Sequence, residues 1–399
     1  MKATPVNERD EAVLFTRLPR GRDYHILRGS MDNSRIAFAR RKQGRVAFLG
    51  GSITNAAGWR DQVCRSLEKR FPGTRFDFIN AGIPSLGSVP HAFRLRRDVL
   101  ARGPVDLLFV EAAVNDATNH PDDPTLWLRG MEGIVRQARL ADPGTDIVLM
   151  HFVEPASRKA YDAGRTPAVI AAHERVAVHY AAPSLDLARE VTERIAAGQF
   201  SWEKDFQDLH PAPFGHRLYA ASIDRLLDAA WARPFPTDAR PVSHVLPPRP
   251  LDARSFFRAR LIDIGAAKCD GGWRRDPSWR PTGAAQAPTR PGFVDVPMLV
   301  AEEPGATLTL PFTGTAVGVW VVAGPDVGII EYRIDGSDGF RRRDPFTEWS
   351  GGLHLPWVLM LESDLPDGKH LLTLRTTGGK NPNSQGNACR IVHFLVNGG

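Results

Sequence analysis

Between Val46 and about Arg233 the chain alternates short, almost wholly apolar runs with longer amphipathic stretches, and this alternation limits the possible folds more than any other feature. The runs VAFLG (46–50), FDFIN (76–80), DLLFVEA (106–112) and DIVLMHF (146–152) have the length of strands. Helix-like stretches near 58–70, 88–101, 125–140, 168–180 and 213–231 separate or follow them. Runs that are largely apolar predict strands buried on both faces, hence a parallel sheet with helices packed around it. In such sheets the functional loops lie at the carboxyl ends of the strands.

The rest of the chain reads differently. RPFPTDARPVSHVLPPRPLDAR (233–254) is dense in proline and reads as a linker or a surface-hugging connection. Beyond it, ATLTLPF, AVGVWVVA, GIIEYRID, HLLTLRT and RIVHFLV are β-rich and separated by Gly, Pro, Asp and Asn turns, which predicts a β-sandwich. The expected division is an N-terminal extension over 1–45 packing on the other domains, an α/β domain over 46–235, a proline-rich linker over 236–254 and a β-sandwich over 255–399. A length of 399 residues is itself more than one ordinary core needs.

Composition excludes several classes. No run approaches the roughly 18 apolar residues of a membrane helix, so no spanning segment is expected. The first residues, MKATPVNERDEAVLF, lack a basic-then-apolar signal segment. A complete chain would therefore be cytoplasmic, and a periplasmic or secreted protein would have had its signal removed. Three cysteines, Cys64, Cys269 and Cys389, are too few for a disulfide scaffold, and free buried thiols are expected. A net charge of +6 invites nucleic acid as a partner, but the basic residues are dispersed and no nucleic-acid signature accompanies them.

Four strand ends carry candidate chemistry. In VAFLGGSIT (46–54) a strand runs into two glycines and Ser52, a geometry that suits either a nucleophile or an anion-binding turn. INAGIPSLGS (79–88) enters a small-residue loop that is either an ordinary turn or a source of backbone donors for an oxyanion. FVEAAVND (109–116) ends on Asn115 and Asp116, a helix cap or an oxyanion donor. DFQDLHPAPFGHRLYA (205–220) places His210 before a proline-started helix with carboxylates two and five residues upstream, as an oriented general base requires.

In this order, strand–GGS, N-A-G, V-N-D and D-x-H-P resemble the signature blocks of the SGNH, or GDSL-like, hydrolase family over roughly residues 46–230. The resemblance implies a three-layer α/β/α, flavodoxin-like sheet, to which the C-terminal region adds a jelly-roll-like sandwich. It also implies Ser52 as nucleophile and His210 as general base, with an oxyanion hole from the Ser52 amide, the Ser85 amide and the Asn115 side chain. The family generally has glycine where Ser85 stands and aspartate where Gly51 stands. Its D-x-x-H pattern would put aspartate at Gln207, so Asp208 is the expected partner of His210, with Asp205 or a main-chain carbonyl as the alternatives. Neither cofactor nor metal is implied; the histidines of HERVAVH (173–179) are six apart and face different ways on a helix.

A hydrolase followed by a β-sandwich is most like the carbohydrate acetylesterases of plant cell-wall glycans such as xylan or xyloglucan, which makes an acetylated carbohydrate the expected partner. The alternatives are an esterase or thioesterase for other short acyl groups, an acetyltransferase, and a non-catalytic glycan-binding protein. Tryptophans such as Trp59, Trp202, Trp320 and Trp357 are divided between a sugar-binding surface and the core.

Overall fold

A computed structural model describes residues 8–283 and 286–399. The chain divides into a first unit ending at Phe257 and a second beginning at Arg258.

The first unit is built on six strands: β1 (His25–Ile26), β2 (Gln43–Gly50), β3 (Arg75–Gly82), β4 (Leu107–Glu111), β5 (Asp146–His151) and β6 (Ser184–Asp186). Their order is β1-β6-β5-β4-β2-β3, with β3, β2, β4, β5 and β6 parallel and β1 antiparallel on β6. Counted from β2, the parallel strands follow the flavodoxin-like order 2-1-3-4-5. β4 and β5 are buried along their whole length, as the unbroken apolar runs predict. Phe48 of β2 stacks on Phe109 of β4 with centroids 5.3 Å apart and meets Trp59 edge-on, so the centre of the sheet is welded to the helix Trp59–Arg70.

The residues ahead of β2 pack on this unit. β1 pairs His25 with Leu185, which turns the expected parallel sheet into a mixed one. Glu11 receives two hydrogen bonds from Arg217, at 2.6 and 2.7 Å, and Phe15 packs on Phe214.

The proline-rich stretch is a strap bound to the first unit. Its backbone or side chains reach Asn33 from Val242, Asp146 from His244 (2.7 Å), Arg136 from Pro247 and Glu132 from Leu251 and Asp252. The cause is electrostatic: Glu132 and Asp146 are wholly buried, and a buried carboxylate must be given donors. Burial still pushes the Asp146 carboxyl up to about 7.

The second unit consists of two antiparallel sheets. One orders Leu355–Glu362, Ala316–Ala323, Cys389–Asn397, Met298–Ala301 and Arg274–Asp276, with Ala259–Ile262 also on Cys389–Asn397. The other orders Arg341–Arg343, Gly328–Ile334, Gly368–Lys380, Thr307–Gly314 and Lys268–Cys269. Leu308, Leu310, Ile330 and Leu372 of the second sheet share one core with Val317, Val319, Leu361 and Phe394 of the first, which makes the unit a sandwich. Along Gly328–Ile334 buried and half-buried positions alternate, the period-two signature of a sheet with one face on a core. Cys64, Cys269 and Cys389 are all free. Trp59 and Trp320 are core residues; Trp202 and Trp357 are only half-buried.

Candidate active site

The carboxyl ends of β2, β3 and β4 lie side by side, so the first three candidate loops meet at one edge of the sheet. Ser52 opens a short helix, Ser52–Asn55, directly after β2, with Gly51 at its N-cap. The first N–H groups of a helix have no intrahelical acceptor, so the Ser52 amide is free to serve a ligand. Ser52 Oγ lies 2.7 Å from Nε2 of His210.

His210 comes from the loop between the helices Leu187–Ala196 and Pro213–Ala230. The residue before a proline is held extended, and here Pro211 follows His210. A single helical turn, Trp202–Phe206, precedes it, and Gln207 then adopts φ 76°, ψ −53°. That conformation makes a tight γ-turn, closed by the Asp208 amide on the Phe206 carbonyl at 3.1 Å. The Ala212 amide donates to the same carbonyl at 2.9 Å, so the loop is tied at both ends.

This turn points the expected partner of the imidazole elsewhere in this structure. Asp208 was placed on His210 Nδ1 by assuming an extended backbone, in which residues two apart share a face. In the structure Asp208 Oδ1 accepts from the Leu209 amide at 2.5 Å instead. Asp205 is buried and its Oδ2 accepts from the Ser201 amide at 2.8 Å. Among the described residues the His210 ring makes one hydrogen bond, the one to Ser52.

Asn115 lies in the first turn of the helix Ala113–Asn119, which follows β4. Its Oδ1 is seated over Gly51: a Cβ on that glycine would stand 2.1 Å from it. With Asn115 placed so, a side chain at position 51 would collide with its amide. The Asn115 amide makes no hydrogen bond among the described residues, and with its oxygen against Gly51 its NH₂ end is the uncommitted one. Ser85, the residue expected to supply an oxyanion amide after β3, has φ +68°, a conformation that favours glycine. The strain is held by the same helix, since Asn119 Nδ2 donates to the Ser85 carbonyl at 2.8 Å.

A buried polar layer supports these loops, and the signature blocks do not reveal it. Glu111, at the end of β4, is buried and accepts from the Val114 amide at 3.2 Å, and burial pushes its carboxyl up to about 7. Asp116 is wholly buried and accepts from the Ser88 amide at 2.7 Å and from His173 at 3.0 Å. His151 lies on Glu174 at 2.9 Å, and Glu174 also pairs with Arg28 at 2.7 Å. Burial would raise the Glu174 carboxyl, but the hydrogen bond and charge of His151, with Arg28, hold it at about 2. Of the HERVAVH histidines, His173 points inward to Asp116, while His179 meets the Arg249 carbonyl at 3.0 Å. His173 and Glu174 are neighbours on one helix, and nothing local in the sequence connects them to Asp116 and His151.

A strand-end serine held on an imidazole, beside uncommitted amide donors in a doubly wound sheet, is the arrangement of a serine ester hydrolase. Residues 48–218 match the model of the GDSL-like lipase/acylhydrolase family. No curated protein sequence gives a significant match. Among solved structures, a two-domain esterase active on acetylated mannans is 22% identical, with a TM-score of 0.76 over 93% of this chain and 96% of that one. The same kind of esterase co-crystallized with mannopentaose gives 0.74 at the same identity and coverage. An acetyl xylan esterase from Geobacillus stearothermophilus is 20% identical over 46% of this chain and 95% of its own, with a TM-score of 0.37. The two-domain match establishes a shared fold for both units.

Proposed function

We propose that the protein is a serine esterase that removes O-acetyl groups from a carbohydrate, with an acetylated cell-wall polysaccharide as substrate. The observation that carries this reading is the 2.7 Å approach of Ser52 Oγ to His210 Nε2, next to Gly51 and the Asn115 amide packed on it. A two-domain neighbour with the same fold acts on acetylated mannans, which puts mannan first among the glycans and leaves xylan and xyloglucan as the next to test.

The chemistry follows from the geometry. His210 Nε2 takes the Ser52 hydroxyl proton as Oγ attacks the acetyl carbonyl, and the negative charge moves to the carbonyl oxygen. The amides of Ser52 and Ser85 and the side chain of Asn115 donate to that oxygen. Collapse releases the sugar hydroxyl, which takes its proton from His210 and leaves an acetyl-Ser52 ester. Water, deprotonated by His210, then releases acetate. We assign Asp208 as the carboxylate that orients His210, with Asp205 as the alternative. Asp208 is exposed and bound only to its neighbour's amide, so a side-chain rotation frees it, and catalytic hydrogen bonds often tighten only when substrate is bound.

The test is acetate release from acetylated glucomannan, xylan and xyloglucan, with Ser52→Ala as control. Release by the wild type and not by the variant is expected, because triad members act as a unit. Equal release by the two proteins, or none from any acetylated glycan, refutes the reading.

A further inference from the structure

The helix Ala113–Asn119 touches both loops that the proposed mechanism uses. Asn115 covers Gly51 beside the nucleophile, while Asp116 and Asn119 hold the loop after β3 at its two ends. Asn119 fixes the Ser85 carbonyl and Asp116 fixes the Ser88 amide. Contact with Asp116 is close: a Cβ on Gly87 would lie 3.1 Å from the Asp116 Cγ and inside its Oδ1.

Asp116 uses its two oxygens for two different elements. Oδ1 accepts from Ser88, and Oδ2 accepts from Nε2 of His173 on the helix Ala168–His179. Both side chains are wholly buried, and His173 Nδ1 has no partner among the described residues. Burial pushes the His173 pKa down, so the ring is neutral with its proton on Nε2, the nitrogen that faces the carboxylate. The imidazole thus acts as a fixed single donor, and it decides which way the Asp116 carboxylate points.

We propose that Asp116 and His173 form a positioning pair that sets the spacing between the Ser85 and Asn115 oxyanion donors. Neither residue contacts the reacting atoms; both act through the loop and helix that carry the donors. This rests on the esterase reading for its kinetic consequence, although the clamp itself is a property of the fold.

Three substitutions separate positioning from general support. Asp116→Asn is isosteric but keeps one acceptor oxygen; with that oxygen on Ser88, its NH₂ can meet His173 Nε2 only if the ring proton moves to Nδ1, where no acceptor stands among the described residues. His173→Met removes the donor at similar volume. His173→Gln keeps an N–H close to the place of Nε2. With p-nitrophenyl acetate as probe, Asp116→Asn and His173→Met should lower kcat at least about tenfold with KM within about twofold, and His173→Gln should recover most of kcat. His173→Met combined with Asn115→Ala should cost less than the product of the two single losses, because both act on one donor set.

Hydrogen exchange provides an arm independent of catalysis. The Ser88 amide should exchange at least about tenfold faster in Asp116→Asn and His173→Met than in wild type or His173→Gln. Wild-type kcat in folded Asp116→Asn, a loss confined to KM, or equal impairment of His173→Gln and His173→Met overturns the pair. Unchanged Ser88 exchange overturns it whatever the kinetics. If His173→Met does not fold, Asp116→Asn alone decides by the same criteria. A wild type that cleaves no ester, with the exchange pattern as expected, refutes the esterase reading and leaves the clamp standing.

Discussion

Gly51→Ala isolates the packing of the proposed oxyanion donor from the nucleophile and base. An alanine Cβ at this position would stand 2.1 Å from Asn115 Oδ1 and 3.3 Å from its Cγ, whereas ordinary contact begins at 3.4 Å. Asn115 must therefore move by more than an ångström. A displacement of that size at a reacting centre costs about 10²-fold, and removing an oxyanion donor outright costs about 10² to 10³, or about 2.7–4 kcal/mol. We expect Gly51→Ala to lower kcat on p-nitrophenyl acetate by roughly 10² to 10³ with KM little changed. Stability should fall by only about 1 kcal/mol, since the φ of −84° suits alanine and only the ψ of −148° lies at the margin of its allowed range. The double variant Gly51→Ala/Asn115→Ala provides the control. With the amide gone the new methyl meets no obstacle, so the double variant should be no slower than Asn115→Ala alone. Steady-state kinetics and thermal denaturation of the three proteins measure all of this. Full activity in Gly51→Ala, or losses that multiply in the double variant, would show that the glycine does not serve Asn115.

Three further outcomes are expected. Asp208→Asn should cost about 10²-fold in kcat and Asp205→Asn less than about tenfold, the latter showing mainly as a lower melting temperature because Asp205 holds Ser201; the reverse order would move the orienting role to Asp205. Ser85→Gly should stabilise the protein by about 1 kcal/mol by relieving its positive φ, with kcat kept within about threefold; a large loss of kcat would mean the hydroxyl, not the amide, is used. Glu174, held at about 2, contributes stability that is present above its unfolded pKa of 4.5 and lost as pH falls towards 2, so Glu174→Gln should flatten the decline in melting temperature across that range; parallel curves would refute the assignment.

The sequence resolved some of this fold and site and not the rest, for identifiable reasons. β2, β4 and β5 were legible because burial on both faces leaves a largely apolar run, while the edge strand β3 showed through its alternating Phe76, Phe78 and Asn80. β6 is only three residues and β1 two, too short to carry a pattern, yet β1 makes the sheet mixed. Ser52 and His210 sit at punctuation points, where glycine or proline marks the end of an element, and Asn115 follows closely on the end of an apolar strand. The course of Asp208 was not legible, because the positive φ of Gln207 is set by tethers from Asp208 and Ala212 to a single carbonyl. Asp116 was visible only as the residue after Asn115, and its pairing with His173 spans 57 positions with no local signature.

The strap over residues 233–257 changes what counts as the edge of the catalytic domain. A chain cut at the proline-rich stretch, where composition suggests a harmless seam, would leave the Glu132 carboxylate, which is fully buried, with the Tyr180 hydroxyl but without the amides of Leu251 and Asp252. Asp146 would likewise lose His244 and keep only the Ser34 amide, leaving two buried carboxyl groups short of donors in one core. The prolines, which donate no N–H and restrict the unfolded chain, let this segment lie along a surface without forming an element of its own. An excised hydrolase would therefore have to run to Phe257, and natural fusions of this domain to other modules would have to carry the strap with it.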